Sequence, residues 1–103
     1  MRAGILPEAM LACAVCAPAQ AETIAVTINN VAYAPVEISA RVGDTIVWTN
    51  NDIVAHTATA RDKSWDYNIL PKKTASMSIK EAGDIEYFCR YHPNMVGHIK
   101  VSQ

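Results

Sequence analysis

Short apolar runs with a period of two constrain the fold more than any other feature of the sequence. In "TIAVTI" (residues 23–28) and "TASMSI" (residues 74–79), every second residue is apolar, and turn residues such as Gly43 and Asp44 separate such runs. This alternation predicts half-buried β-strands. About seven short strands at regular spacing indicate an all-β fold, an antiparallel Greek-key β-sandwich. By composition, residues 61–68 are the least ordered stretch, where we expect a long loop or a short helical turn.

The first 21 residues do not share this pattern. A basic start precedes a short apolar run at residues 9–17, and "AQA" at residues 19–21 has the small-residue pattern of a signal peptidase site. We predict a secretory signal peptide that is cleaved after residue 21, followed by a periplasmic domain at residues 22–103. The apolar run is too short to span a bilayer. Two other interpretations remain open, a lipid anchor at Cys13 and a redox pair in "CAVC".

Composition and charge exclude several classes of function. Nine Lys and Arg residues stand against ten Asp and Glu residues, so no strongly basic surface invites nucleic acid. The length allows one domain, which we expect to be a monomer without a membrane span. Cys89 is the only cysteine after residue 21, so it cannot form a disulfide within the exported domain. A small domain without disulfides needs an efficient core or a bound metal.

Four residues near two predicted strand ends have the chemistry of a metal site. Cys89, His92 and Met95 follow one another at intervals of three, and Cys89 ends the predicted strand "IEYFC", where alternation turns it toward the core. His56 begins another predicted strand and can reach the same end of the sandwich. The alternation in "HIKV" turns His98 toward solvent, so we exclude it from the site.

The donor atoms of these four residues favour copper. Two imidazoles, a thiolate and a thioether are soft and borderline ligands, which suit copper in both of its oxidation states. Zinc also binds thiolate and imidazole but rarely thioether, and structural zinc sites usually contain paired cysteines.

Two stretches of the sequence resemble a known family. "YAPVEISARVGDTIVWTNND", which leads to His56, and "EAGDIEYFCRYHPNMVGHIKV" near the end resemble the small type-1 blue copper proteins, the cupredoxins. The CxxHxxM spacing is most similar to that of the amicyanins, whereas plastocyanins and pseudoazurins have a longer gap between histidine and methionine. The resemblance implies an electron-transfer protein without enzymatic activity.

The resemblance also implies a role for each site residue. His56, Cys89 and His92 are expected to bind one copper ion in a near-trigonal plane, with Met95 as the weak axial ligand. The ring edge of His92 is expected to face solvent within an apolar docking patch. Redox partners are expected to bind this patch, and the amicyanin-like spacing suggests an amine dehydrogenase and a c-type cytochrome.

The chain also departs from the family pattern. Ala55 and Thr57 flank the first histidine, where amicyanin-like sequences tend to have proline and asparagine. That asparagine normally ties the two ligand loops together. Arg90 and Tyr91 replace smaller residues in the second loop, and Arg90 adds positive charge close to the metal.

Two other functions remain open at this point. A copper protein for storage or delivery would share every ligand. An enzyme that uses Cys89 and a histidine as a nucleophile pair has weaker support, because it gives Met95 no role and no orienting acid is evident.

Overall fold

The computed structural model describes residues 20–103, so nearly all of the predicted signal peptide lies outside the described residues. Within the described part, no helix is long and apolar enough to cross a bilayer. Nine β-strands form the regular structure of these residues: β1 (Thr23–Ile28), β2 (Tyr33–Ala34), β3 (Glu37–Arg41), β4 (Thr45–Asn50), β5 (His56–Ala60), β6 (Asp66–Ile69), β7 (Thr74–Ser78), β8 (Gly83–Phe88) and β9 (Val96–Ser102).

The strands form two sheets, in the orders β2-β1-β4-β7 and β3-β9-β8-β5-β6. The prediction of an all-β sandwich is confirmed, but the sheets are mixed rather than purely antiparallel. β1 runs parallel to β4, and β3 runs parallel to β9. Local alternation identifies a strand and its buried face, but the direction of its neighbour depends on connections that cross between the sheets.

β6 includes the last three residues of the stretch 61–68, where the sequence predicts a loop or a helical turn. It lies at the edge of its sheet and pairs antiparallel with β5. Its sequence, "DYNI", has polar residues on the exposed face. Its alternation of polar and apolar residues covers only four positions, so the strand signal in the sequence was weaker than for β1 or β7.

Five aromatic side chains pack together, three of them buried in the core and two partly buried against it. Trp48 of β4 is fully buried, and the centroids of neighbouring rings lie 4.6 to 6.0 Å apart. Large aromatic side chains dominate the energetics of small cores. This cluster supplies the efficient core that a disulfide-free domain requires; its members are Tyr33, Trp48, Trp65, Tyr67 and Tyr87.

Gly97 of β9 lies directly opposite Tyr87 of β8. A Cβ atom at position 97 would approach Cζ of Tyr87 to 2.4 Å, well inside van der Waals contact. The Tyr87 ring therefore packs over the glycine backbone, and it does so two residues before Cys89.

Asp44, in the turn before β4, ties the residue that precedes β1 to the sandwich. Its side chain is 4% exposed, and its carboxylate accepts the backbone N–H groups of Glu22 and Arg41, both at 2.9 Å. These two donors hold the pKa of Asp44 below its ordinary value.

Candidate metal centre

The loop between β8 and β9 carries three of the predicted ligands. Three hydrogen bonds shape it: Cys89 N–H to Met95 O at 3.1 Å, His92 N–H to Cys89 O at 3.2 Å, and Met95 N–H to His92 O at 2.8 Å. The intervals of three residues thus correspond to successive tight turns. Backbone hydrogen bonds, and not only a bound ion, define the shape of the loop.

The sheet brings His56 to the same place. β5 pairs antiparallel with β8, so the start of β5 lies near the end of β8. Nδ1 of His56 lies 3.8 Å from Cys89 Sγ, and Nδ1 of His92 lies 3.6 Å from the same sulfur. The three ligand atoms all lie within 4.8 Å of one another. His56 and Cys89 are fully buried, whereas His92 is only partly buried.

These distances match those expected for donors that share one ion. A sulfur and a nitrogen that bind one trigonal metal at about 2.0–2.3 Å lie about 3.7 Å apart. A buried thiolate would otherwise be an uncompensated charge, which a bound cation neutralises. Two imidazoles, one thiolate and a nearby methionine are the donor set of a type-1 copper site.

The structure also places Met95, which was predicted as a ligand, and His98, which was excluded from the site. Met95 is 4% exposed and closes the ligand loop through its backbone. His98 lies outside the site, since its Nε2 pairs with Oε1 of Glu86 at 3.1 Å on the surface of the sheet. Its separation from the three converging ligands agrees with the sequence prediction.

Asp52 is a component of the site that the sequence analysis missed. Its Oδ2 lies 2.7 Å from Nε2 of His56, and its carboxylate also accepts the N–H groups of Asn30 at 2.8 Å and Val31 at 3.0 Å. The N–H of Val31 is the largest cause that holds the pKa of Asp52 below its usual range. A carboxylate at Nε2 keeps the proton there and leaves the Nδ1 lone pair directed at the metal position. An acid four residues before a histidine is the only sequence signal for this contact.

The turn that Asp52 holds is conformationally unusual. Asn30 and Val31 have φ angles of 54° and 58°. A β-branched residue rarely adopts this left-handed region, and such outliers persist only where their surroundings hold them. Val31 also lines a shallow cavity with His92 and Pro93. Asp52 thus links the strained turn, His56 and the surface beside His92.

Thr57 takes over the role expected of the missing asparagine. Its Oγ1 accepts the N–H of Arg90 at 2.8 Å, and its own N–H donates to Cys89 Sγ at 3.3 Å. Thr57 therefore ties the two ligand segments together twice. Nε of Arg90 lies 3.0 Å from Oδ1 of Asp66, so the carboxylate offsets much of the charge that Arg90 brings to the site.

Five exposed apolar side chains lie in segments that carry or adjoin the candidate ligands. They come from the turn before β2, the loop before β5, the end of β6 and the ligand loop. Val31 lines the cavity beside His92, and Tyr91 directly precedes that histidine, so apolar side chains are exposed next to the candidate ligand. We call these five residues the apolar rim: Val31, Ile53, Val54, Leu70 and Tyr91.

Comparison with known proteins agrees with this geometry. The sequence profile of the family described as a cupredoxin-like domain matches residues 5–101. The amicyanin of Paracoccus versutus is 26% identical over 87 residues, which cover 79% of this chain and 66% of that protein. The amicyanin of Paracoccus denitrificans is 30% identical over 84 residues, which cover 76% of this chain and 64% of that protein. The chain thus spans slightly less than two thirds of the length of these curated relatives.

Solved structures of amicyanin and of another cupredoxin are also similar to this protein in fold. The oxidised form of an amicyanin variant has a TM-score of 0.72 at 26% identity, covering 77% of this chain and 81% of that one. A purple cupredoxin from Nitrosopumilus maritimus also has a TM-score of 0.72 at 26% identity, covering 77% of this chain and 99% of that one. The fold, the converging donors and the family profile agree, and the chain belongs to the cupredoxin-like family.

Proposed function

We propose that this chain is a periplasmic type-1 copper protein that carries electrons between redox partners. The copper ion would be held by the four predicted ligands, which are His56, Cys89, His92 and Met95. The observation that carries the proposal is the convergence of both Nδ1 atoms on Cys89 Sγ, at 3.8 and 3.6 Å. The relatives named amicyanin support the same assignment.

Bound copper supplies a one-electron couple, and the protein keeps its ligands in place in both oxidation states. His56 is fixed by its strand and by Asp52, and Cys89 by the loop hydrogen bonds and the N–H of Thr57. Ligands that do not move between oxidation states keep the reorganisation small. The hydrogen bond from Thr57 to the sulfur and the thioether of Met95 would tune the reduction potential.

His92, the only partly buried one of the three converging ligands, would provide the route for the electron. The apolar rim would bind a redox partner briefly, as small transient interfaces do. We propose a c-type cytochrome and an amine dehydrogenase as the classes of partner, in keeping with the amicyanin-like spacing. The signal peptide predicted at residues 1–21 supports the periplasmic location.

Addition of Cu(II) to the copper-free mature protein tests this function. We expect an intense blue colour from thiolate-to-copper charge transfer and a reversible one-electron couple. Replacing Met95 with leucine should keep the colour but shift its absorption and raise the reduction potential, because the thioether no longer donates to Cu(II). Met77→Leu, a buried methionine of β7, is the matched control and should change neither property. A colourless, weakly bound copper would contradict the proposal and favour storage or delivery.

Replacing Asp52 with asparagine should weaken Cu(II) binding by about 10–100-fold, the usual effect of losing an outer partner of a metal-bound histidine. The amide of asparagine has a donor on one side, so it cannot accept all three hydrogen bonds that the carboxylate accepts. Competition titration of the copper-free protein with a chelator measures the affinity. Asp62→Asn, in an exposed turn at the opposite end of β5, is the control. Equal affinities for the two variants would show that Asp52 does not support the site.

A further inference from the structure

β5 carries two buried threonines that the copper ligands alone do not explain. All five residues of this strand are buried, and Thr57 and Thr59 are both 0% exposed. Their hydroxyl oxygens lie 2.9 Å apart, on the face of the strand opposite His56. A buried hydroxyl is costly unless it is hydrogen-bonded, so these two side chains need partners.

Their partners form a chain whose direction is fixed. Thr59 Oγ1 lies 2.6 Å from Oδ1 of Asp66, and an ionised carboxylate can only accept, so Thr59 donates. A hydroxyl has one proton, so Thr59 must accept the proton of Thr57. Thr57, having donated, accepts the N–H of Arg90 at 2.8 Å. Every proton in this chain of hydrogen bonds therefore has one position.

This chain of hydrogen bonds begins and ends at the same residue, Arg90. Asp66 Oδ1, its last acceptor, also accepts from Nε of Arg90 at 3.0 Å. The backbone of Arg90 starts the chain and its guanidinium ends it. Both the hydroxyl of Thr59 and Arg90 hold the pKa of Asp66 below its ordinary value, the hydroxyl contributing more. The ionised form of Asp66, which the chain requires, is thus favoured.

We propose that Thr59 and Asp66 are positioning residues for the metal centre, which act through Thr57 and Arg90 on the N–H···S hydrogen bond to Cys89. Arg90 follows Cys89 directly, and the N–H of Thr57 donates to Cys89 Sγ at 3.3 Å. The closed chain of hydrogen bonds holds β5 and the ligand loop in a fixed position relative to each other. The expected effect on the reduction potential rests on the proposed function. The expected effect on the conformation of the ligand loop rests on the hydrogen bonds alone.

The chemistry gives the direction of the effect. A hydrogen bond to the thiolate draws electron density from the sulfur, which favours Cu(I) over Cu(II) and raises the reduction potential. Thr59→Val has a side chain of nearly the same volume but no hydroxyl. It leaves the proton of Thr57 without its acceptor and Asp66 without one of its two donors. The loop should loosen and the potential should fall.

The first measurement uses the copper-free protein and amide hydrogen exchange by NMR. In Thr59→Val, we expect the N–H of Arg90 to exchange about tenfold faster relative to the core amide of Ile99, as when one hydrogen bond is lost. Asp66→Asn should act in the same direction, and because Asp66 is partly exposed this variant should fold normally. Thr59→Ser, which restores the hydroxyl, should recover the slow exchange.

The second measurement is the reduction potential of the copper-loaded variants. Thr59→Val and Asp66→Asn should lower it, and Thr59→Ser should not. Thr49→Val, in the other sheet, is the control for replacing threonine with valine in a strand. If exchange in Thr59→Val equals that in Thr49→Val, the inference is wrong. Faster exchange with an unchanged potential would also overturn it. If no blue copper forms, the proposed function fails, but the exchange experiment still decides whether the chain positions the loop.

Discussion

Replacing Cys89 with serine is expected to abolish the intense visible absorption of the copper-loaded protein. It should also weaken copper binding by far more than the ~100-fold that loss of an outer partner costs. Serine has the same shape as cysteine and can still accept the N–H of Thr57. Its hydroxyl is a harder ligand that does not ionise at neutral pH, so the charge-transfer band of a thiolate is lost. Optical titration with Cu(II), alongside circular dichroism to verify the fold, measures both effects.

His98→Gln is the matched control for this experiment. His98 pairs with Glu86 away from the three converging donors, so its replacement should leave colour and affinity unchanged. Comparison of the two variants distinguishes copper bound at the assigned ligands from copper bound nonspecifically to surface histidines. An intense blue colour in Cys89→Ser, or its loss in His98→Gln, would show that the ligands are assigned incorrectly.

Replacing Gly97 with alanine is expected to destabilise the fold by roughly 3 kcal/mol, the upper part of the usual range for overpacking. The added Cβ atom would lie 2.4 Å from Cζ of Tyr87, whose ring is 1% exposed. That ring is packed against Tyr33 and Trp48, with centroid distances of 4.6 and 5.5 Å, so it has little room to move. Urea unfolding of the copper-free protein gives the difference in free energy.

A double-mutant cycle with Tyr87→Leu isolates this contact. The smaller side chain frees the space above position 97, so Gly97→Ala should cost much less in that background. The coupling energy then measures the clash, separate from the loss of the aromatic ring. A cost below about 1 kcal/mol for Gly97→Ala alone would contradict the close packing.

The strands and the ligand loop could be predicted because their signals are local. Alternation identified β1 and β7, and the intervals of three in the loop from Cys89 to Met95 correspond to its backbone turns. Cys89 is buried at the end of β8, as its place in the alternation required.

The missed features depend on residues that only the fold brings together. Asp52 contacts Asn30 and Val31, more than twenty positions earlier in the chain, and Asp66 meets Arg90 across 24 positions. The apolar periodicity of the sequence does not indicate which distant residues form such pairs. The charge of Arg90 was visible in the sequence, but the carboxylate that offsets it was not, so the local sequence overstated the positive charge at the metal.

Asp44 meets the chain next to the predicted signal peptidase site. Cleavage after Ala21 would make Glu22 the first residue, and the nitrogen that donates to Asp44 at 2.9 Å would become an α-ammonium group. The carboxylate is 4% exposed and is already an ionised acceptor, so charging the donor as well would turn this hydrogen bond into an ion pair. Cleavage would thus strengthen a contact that the uncleaved chain already makes, so the sandwich would be more stable after export than before it.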